Sequence, residues 1–343
     1  MIKPLTIRDV AKEAGVSVAT ISRYINKSSY TSEKTGKKIQ AVMDRLNYKP
    51  NEIARGLAKQ KSNTIALIIP DITNPFFPEL VNAIEEVAKS KGYSLLLTTS
   101  SEADLQNANF WRSFQSRYVD GLILASFQFN KEVINGMNGL EIPFVRVDRA
   151  ADLSTNSIGV DNYYGAQLAV QHLIEIGCKN IAHISGPASF SPSVERVKGF
   201  RAIMEKEFPD RELIIYEGDF SLEGGKKMSE VMMKNHPEVD GIFLANDLMA
   251  IGSLKALKSL EMTVPGEVAV IGFDGIKLTE MVEPELSTIE QPIYNIGITA
   301  TNRLINLIEN KPFDNEVSDL TVRLVKRTST LGFLNCRMPT SVE

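Results

Sequence analysis

Thr6-Ile-Arg-Asp-Val-Ala-Lys-Glu-Ala-Gly-Val-Ser-Val-Ala-Thr-Ile-Ser-Arg23 is the stretch on which the reading of this chain turns. Ile7, Val10, Ala11 and Ala14 recur at the i, i+3, i+4, i+7 spacing of one helix face, behind Thr6 as N-cap with Asp9 three residues on. Gly15 ends that helix, as a residue tolerant of the left-handed conformation does. Ser17 caps a second helix whose inner side holds Ile21 and Ile25, while Ala19, Ser22, Arg23 and Asn26 share the opposite side. A third helix after Ser32 carries Ile39, Val42, Met43 and Leu46 on one face. Two helices around a tight glycine turn, the second with a polar outer face, describe a helix-turn-helix, whose second helix reads base edges in the major groove. An ordinary three-helix bundle with a polar surface has the same periodicity, and charge separates the two.

Residues 1–62 hold 13 Lys or Arg and 5 Asp or Glu, a net +8, although the whole chain of 343 residues carries −4. A basic head on an acidic body is the signature of a polyanion-binding domain. The composition, 43% hydrophobic and 23% charged, is that of a globular protein of more than one domain. No apolar run is long enough to span a membrane and Met1-Ile2-Lys3-Pro4 begins no signal peptide, so no membrane association and a cytoplasmic location are expected. Cys178 and Cys336 are too few for a disulfide framework.

The quoted stretch resembles the head of the lactose-repressor (LacI/GalR) family, and Asn47-Tyr-Lys-Pro-Asn-Glu-Ile-Ala-Arg-Gly-Leu-Ala58 is similar to that family's hinge segment. The likeness runs from residue 5 to about 330. It implies that Val18, Ala19 and Arg23 read bases, with Ser17, Thr20, Ser22 and Asn26 facing the DNA backbone. Thr6 at the head and Asn51, Ala54, Arg55 and Leu57 in the hinge complete the DNA-contacting set. Leu57 is the one large apolar residue between Ile53 and Ile65. The family's hinge leucine wedges into the minor groove, where apolar side chains unstack a base step and kink the duplex. A helix-turn-helix of this size reads half a site, so a homodimer on a near-palindromic double-stranded operator is expected. The tail 331–343 has no leucine heptads to extend the dimer, and no role is assigned to it.

From residue 64 to 330, short apolar runs alternate with amphipathic stretches. Thr64–Ile69, Ser94–Thr98, Gly121–Ala125, Pro143–Val147, Asn180–Ile184, Leu213–Tyr216, Gly241–Leu244 and Val268–Gly272 read as strands. Pro78–Lys91, Asn162–Ile176, Ser193–Glu207, Leu222–Asn235 and Asp247–Leu260 read as helices. Such alternation gives doubly wound parallel α/β sheets with a ligand cleft at the strand C-termini. The resemblance likewise implies two lobes of periplasmic-binding-protein type. The domains are therefore an all-α head (1–49), a hinge helix and linker (50–63) and a two-lobed effector-binding and dimerisation body (64–330).

The strand ends supply Asn74, Phe76 and Phe77; Asp148 and Arg149; Phe190 and Arg196; Phe220; Asn246 and Asp247; Asp274; and, beyond, Gln291. Carboxylates, guanidinium and amides beside aromatic faces suit the hydroxyls and ring of a sugar, the expected small-molecule effector. By resemblance, Arg196, Asn246 and Asp274 grip the effector. Phe190 stands where the purine-binding member has arginine, which argues against a purine. Arg196 and Asp274 are read as coming from different lobes, so that a ligand touching both clamps the cleft. Each has a plainer alternative: Asp247 as a helix cap, Phe76, Phe77 and Phe190 as core, Arg149 as a surface ion pair.

An enzyme is the first rival, but His172, His183 and His236 lack metal-type spacing. No Gly-x-Ser-x-Gly elbow, phosphate loop or Gly-x-Gly-x-x-Gly after the first strand occurs, so neither catalysis, a metal nor a cofactor is expected. A solute-binding protein fits the body but not the basic head. A regulator that takes a phosphocarrier protein as co-repressor stays open.

Overall fold

The computed structural model describes residues 5–26, 30–48, 61–116, 119–125, 131–147, 156–312 and 320–333. Asn51, Ala54, Arg55 and Leu57 of the hinge, Asp148 and Arg149 of the body, and the tail from residue 334 lie outside them. Two compact units result, Met1–Ser62 and Asn63–Glu343.

In the first unit, helices α1 (Ile7–Ala14), α2 (Val18–Asn26) and α3 (Glu33–Arg45) enclose Val10, Ala14, Ile21 and Ile39, all fully buried. Each start has its own oxygen acceptor. Asp9 Oδ2 accepts from Thr6 N at 2.8 Å and from Thr6 Oγ1 at 2.7 Å; Ser17 Oγ accepts from Thr20 N at 3.1 Å and Ser32 Oγ from Thr35 N at 3.3 Å. These bonds satisfy N–H groups that a helix leaves unpaired at its first turn. Gly15 sits at φ +60°, the left-handed residue that turns the chain from α1 into α2.

The second unit holds two sheets. The first is built from β1 (Thr64–Ile69), β2 (Ser94–Thr99), β3 (Gly121–Ala125), β4 (Phe144–Val147) and β5 (Ser157–Ile158), in the order β2-β1-β3-β4-β5, all parallel. Helices α4 (Phe76–Ser90), α5 (Glu102–Leu105), α6 (Ala108–Ser116) and α7 (Lys131–Asn138) belong to this N-lobe. The chain then crosses to the C-lobe. There β6 (Ile181–Ser185), β7 (Ile214–Glu217), β8 (Gly241–Leu244), β9 (Ala269–Asp274), β10 (Ser287–Glu290) and β11 (Arg323–Val325) form a sheet ordered β11-β10-β9-β8-β6-β7. Only β11 runs antiparallel. Helices α8 (Asn162–Glu175), α9 (Ser191–Glu207), α10 (Leu222–Asn235) and α11 (Asp247–Ser259) pack here. Helix α12 (Ile293–Ile308) returns to the N-lobe, lying against α4, β3 and β4, before the chain reaches β11.

The expected hinge helix lies outside the described residues; the three head helices and the strands and helices expected between residues 64 and 330 all form, with ends displaced by at most two residues. Beyond them the structure contains β5, β10, β11, the short helices α5, α6 and α7, and α12. In each sheet the strand order reverses beside the first strand, β1 in one and β6 in the other. In open α/β sheets such switch points open a crevice at the strand C-termini, and the loops after β1, β6 and β8 lie there.

Candidate functional site

A cavity of about 470 Å³ lies between the lobes of the second unit, within the usual size for a small-molecule site. The C-lobe supplies most of its polar wall. Arg196, in the second turn of α9, is 3% exposed. Its Nε donates to Asn162 Oδ1 at 2.9 Å, its Nη1 to the Ala245 carbonyl, and its Cζ lies 3.6 Å above the Phe273 ring centroid. Its Nη2 stands 3.8 Å from Asp274 Oδ1. Asp274, at the end of β9, also accepts at Oδ1 from Gln291 Nε2 at 2.7 Å, and its carbonyl accepts from Gln291 N at 2.9 Å. Asn246 caps α11 by accepting from Met249 N at 2.9 Å and donates from Nδ2 to the Phe220 carbonyl at 3.0 Å. Phe220, at φ +66°, sets its ring edge-on to Phe190 with centroids 5.9 Å apart. These are preorganised hydrogen-bonding groups beside two aromatic walls.

The N-lobe contributes the loop after β1. Asn74 Oδ1 accepts from Phe76 N at 3.1 Å in the turn that leads into α4. Phe76 and Phe77 meet edge to face at 5.3 Å, and both line the cavity while belonging to the buried core. Core and site readings of these two rings hold together.

The cavity gathers nine of the ten expected positions that the structure describes: Asn74, Phe76, Phe77, Phe190, Arg196, Phe220, Asn246, Asp274 and Gln291. Two expectations change. Arg196 and Asp274 do not face each other across the cleft; both are C-lobe residues, because β9 and α9 belong to one sheet and its cover. A ligand touching both is held by one lobe. Asp247, the tenth, does not line the cavity. It is fully buried as the first residue of α11, and its oxygens accept from Gly275 N at 2.7 Å, Ile276 N at 2.9 Å and Thr288 Oγ1 at 2.7 Å. Burial, then the charge of Asp274, pushes its carboxyl up against those bonds.

Asp71, Thr73, Asp219, Ser221 and Glu223 also line the cavity. Asp71 and Asp219 each accept from the N–H and hydroxyl two residues on, the turn-forming habit of aspartate. That Asp-x-Thr and Asp-x-Ser spacing is a sequence signal that marks both loops.

On the first unit, Val18, Ala19 and Arg23 are exposed on one side of α2, with Val18 41% exposed though apolar. Ser17 Oγ and Thr20 Oγ1 lie 2.9 Å apart, and Asn26 Nδ2 donates to the Ser22 carbonyl at 2.9 Å. Thr6 is committed to the capping of α1. The outer face of α2 is thus short side chains around a single cation, a shape that enters a groove closely.

Comparison with known proteins agrees with this geometry. Residues 6–51 match the bacterial regulatory proteins of the lacI family, and residues 62–328 match the periplasmic binding proteins and sugar binding domain of the LacI family. The ribose operon repressor of Halalkalibacterium halodurans is 40% identical, over 95% of this chain and 97% of its own. A lac repressor dimer solved with operator and the anti-inducer ONPF superposes with a TM-score of 0.84 at 28% identity, over 96% of this chain and 100% of that one. A periplasmic binding protein/LacI transcriptional regulator from Alkaliphilus metalliredigens QYMF, complexed with D-xylulofuranose, is 34% identical with a TM-score of 0.69, over 78% of this chain and 99% of that one. The chain belongs to the LacI family of bacterial transcription regulators, a DNA-binding head carried by a sugar-binding-type body.

Proposed function

We propose that the protein is a homodimeric repressor of a near-palindromic operator, released or engaged by a neutral sugar, with D-ribose as first candidate. The relatives named for ribose and bound to D-xylulofuranose support a pentose. The observation that carries the reading is the C-lobe set of Arg196, Asn246, Asp274 and Gln291 beside Phe190 and Phe220, which offers charged and amide partners to several hydroxyls at once. Charge argues for an unphosphorylated ligand. Among the described lining residues Asp71, Asp219, Glu223 and Asp274 oppose Arg196 alone, and Arg196 is already engaged by Asn162, Ala245 and Phe273. Phe190 in place of a cation leaves a purine without its partner.

On the head, Val18, Ala19 and Arg23 read bases, while Ser17, Thr20, Ser22, Asn26 and Thr6 meet the backbone. Asn51, Ala54, Arg55 and Leu57 act in the hinge, and Asp148 and Arg149 join the sugar site. The protein works by binding and not by catalysis, in the cytoplasm, with no cofactor beyond the effector. The coupling between the two sites is of the usual size, about 1–3 kcal/mol, or roughly 5–150-fold in operator affinity. Calorimetry against a sugar panel headed by D-ribose, with operator anisotropy on the same samples, tests the reading. Binding of a sugar without any change in operator affinity refutes the allosteric part, and no sugar binding refutes the site.

A further inference from the structure

We propose that Asp247, which stands behind the cavity wall and not in it, is the residue that positions Asp274 for the effector. Asp274 holds φ +119° and Gly275 follows at φ +81°, so a residue with a side chain sits where backbone sterics favour glycine. Something must hold it there. The turn that follows delivers two successive backbone N–H groups, Gly275 at 2.7 Å and Ile276 at 2.9 Å, to one oxygen of Asp247. Converging N–H groups of this kind form a nest for an oxygen anion. The second oxygen accepts from Thr288 Oγ1 at 2.7 Å, and Thr288 is the partner of Gly272 in the β9–β10 ladder.

The local sequence is shaped around that carboxylate. A Cβ on Gly272 would come 2.3 Å from Asp247 Oδ1, and one on Gly275 would come 2.5 Å from Glu290 Cγ. Ile271-Gly-Phe-Asp-Gly275 therefore leaves room for Asp247 on one side of Asp274 and for the tight turn on the other. Asp274 is held at both ends: its backbone from behind by Asp247, its carboxylate in front by Gln291 at 2.7 Å. Burial and the charge of Asp274 raise the Asp247 carboxyl, so a neutral isostere is tolerated there. Asparagine mimics it, with the amide oxygen in the nest and the amide N–H2 donating to Thr288 Oγ1. Alanine leaves two buried N–H groups unpaired.

The test uses full-length Asp247→Asn, Asp247→Ala and Thr288→Val, each crystallised without ligand and titrated with D-ribose. Asp247→Asn is expected to keep the 274–276 turn and to bind ribose within about three-fold of the parent. Asp247→Ala is expected to move the turn, break the Gln291–Asp274 bond and weaken ribose at least about ten-fold, the effect of leaving buried donors without a partner. DNA binding without ribose stays within about two-fold, a separation that a general loss of folding does not produce. An unmoved Asp274 in Asp247→Ala overturns the proposal. So does ribose affinity equal to the parent's. If Asp247→Ala does not fold, Thr288→Val and Asp247→Asn decide: a displaced turn in the asparagine variant, or no effect at all in the valine variant, refutes it. The ribose arm rests on the sugar-site reading. If the parent takes no ribose, that reading fails, and the crystal structures alone judge Asp247.

Discussion

Arg196→Met tests whether the C-lobe is a prebuilt half-site. The guanidinium is 3% exposed and makes four contacts within its own lobe: Asn162 Oδ1, the Ala245 carbonyl, the Phe273 face and Asp274. Removing one member of a buried charge pair costs about 3–5 kcal/mol, because the survivor keeps its desolvation penalty. The orphaned Ala245 and Asn162 oxygens add about 1–3 kcal/mol each when nothing replaces the donor. Methionine recovers about 0.3–1.5 kcal/mol against the Phe273 ring. These terms overlap, and the net expectation is a loss of about 3–5 kcal/mol. Asp274→Asn in the same chain removes the stranded charge, so the double variant should recover about 1–3 kcal/mol relative to additivity. The single tryptophan, Trp111, is buried in the N-lobe. Unfolding in urea is therefore best followed by circular dichroism, which sees both lobes. A single variant within about 1 kcal/mol of the parent, or strict additivity in the double, would refute the internal pair as a structural element.

Three further outcomes follow from the same geometry. Arg23→Ala should lower operator affinity by about 1–3 kcal/mol and relax preference at one base pair of each half-site; anisotropy on single-base operator variants checks this, and an equal loss on every sequence makes Arg23 a phosphate contact. Ribose 5-phosphate should bind at least about ten-fold more weakly than ribose, since a dianion meets the acidic wall; equal affinity in calorimetry refutes the charge argument. Burial lowers both His172 and His183 from 6.5 to about 4. Their depressed values mean that the unfolded chain binds more protons between those limits, so stability is complete above pH 6.5 and is lost as pH falls through 4. The fully buried His183 accounts for on the order of 3 kcal/mol of that loss. Asp247, whose carboxyl is raised by burial, acts in the opposite direction and fades as pH rises. Melts from pH 7 to 4 on Asp247→Asn, which removes the opposing carboxyl, would refute neutral buried histidines by staying flat.

What could be read in the sequence was what is local. The head was legible because caps and the 3.6-residue period act within one turn: Thr6, Ser17 and Ser32 fall at helix starts by short-range bonding alone. Parallel strands such as β1 and β3 read as apolar runs because both faces are covered. β10 escaped notice because Ser287 and Thr288, fully buried, bond Thr330 and Asp247, so a buried strand looks polar. Lobe membership was illegible, since the return through α12 to the N-lobe is a tertiary event. Asn246 and Asp247 have the same capping chemistry. Only the extended backbone at Asn246, φ −150°, makes it the cap and sends Asp247 behind the wall.

The division of the site between lobes bears on how a ligand signals. Arg196, Asp274 and Gln291 are fixed to one another, and Asn246 to Phe220 and Met249 of the same lobe, by bonds that need no ligand. A sugar resting on them alone gains the same energy whether the lobes are apart or together, and a ligand with no preference between two states shifts neither. The preference must come from the N-lobe side, where Asn74, Phe76 and Phe77 reach the same cavity. Phe76 and Phe77 are also core, so their loss mixes stability with binding. Asn74 is half-buried and outside the core clusters. Asn74→Ala also loses the bond to Phe76 N, so it is read as a ratio at saturating sugar: about 1 kcal/mol of affinity lost, but a coupling to the operator reduced by a comparable share of its about 1–3 kcal/mol. A variant at Gln291 or Asn246, by contrast, lowers affinity and leaves the ratio of operator affinities at saturating sugar unchanged. Should Asn74→Ala keep the full ratio at saturation, lobe closure is driven from elsewhere than the loop after β1.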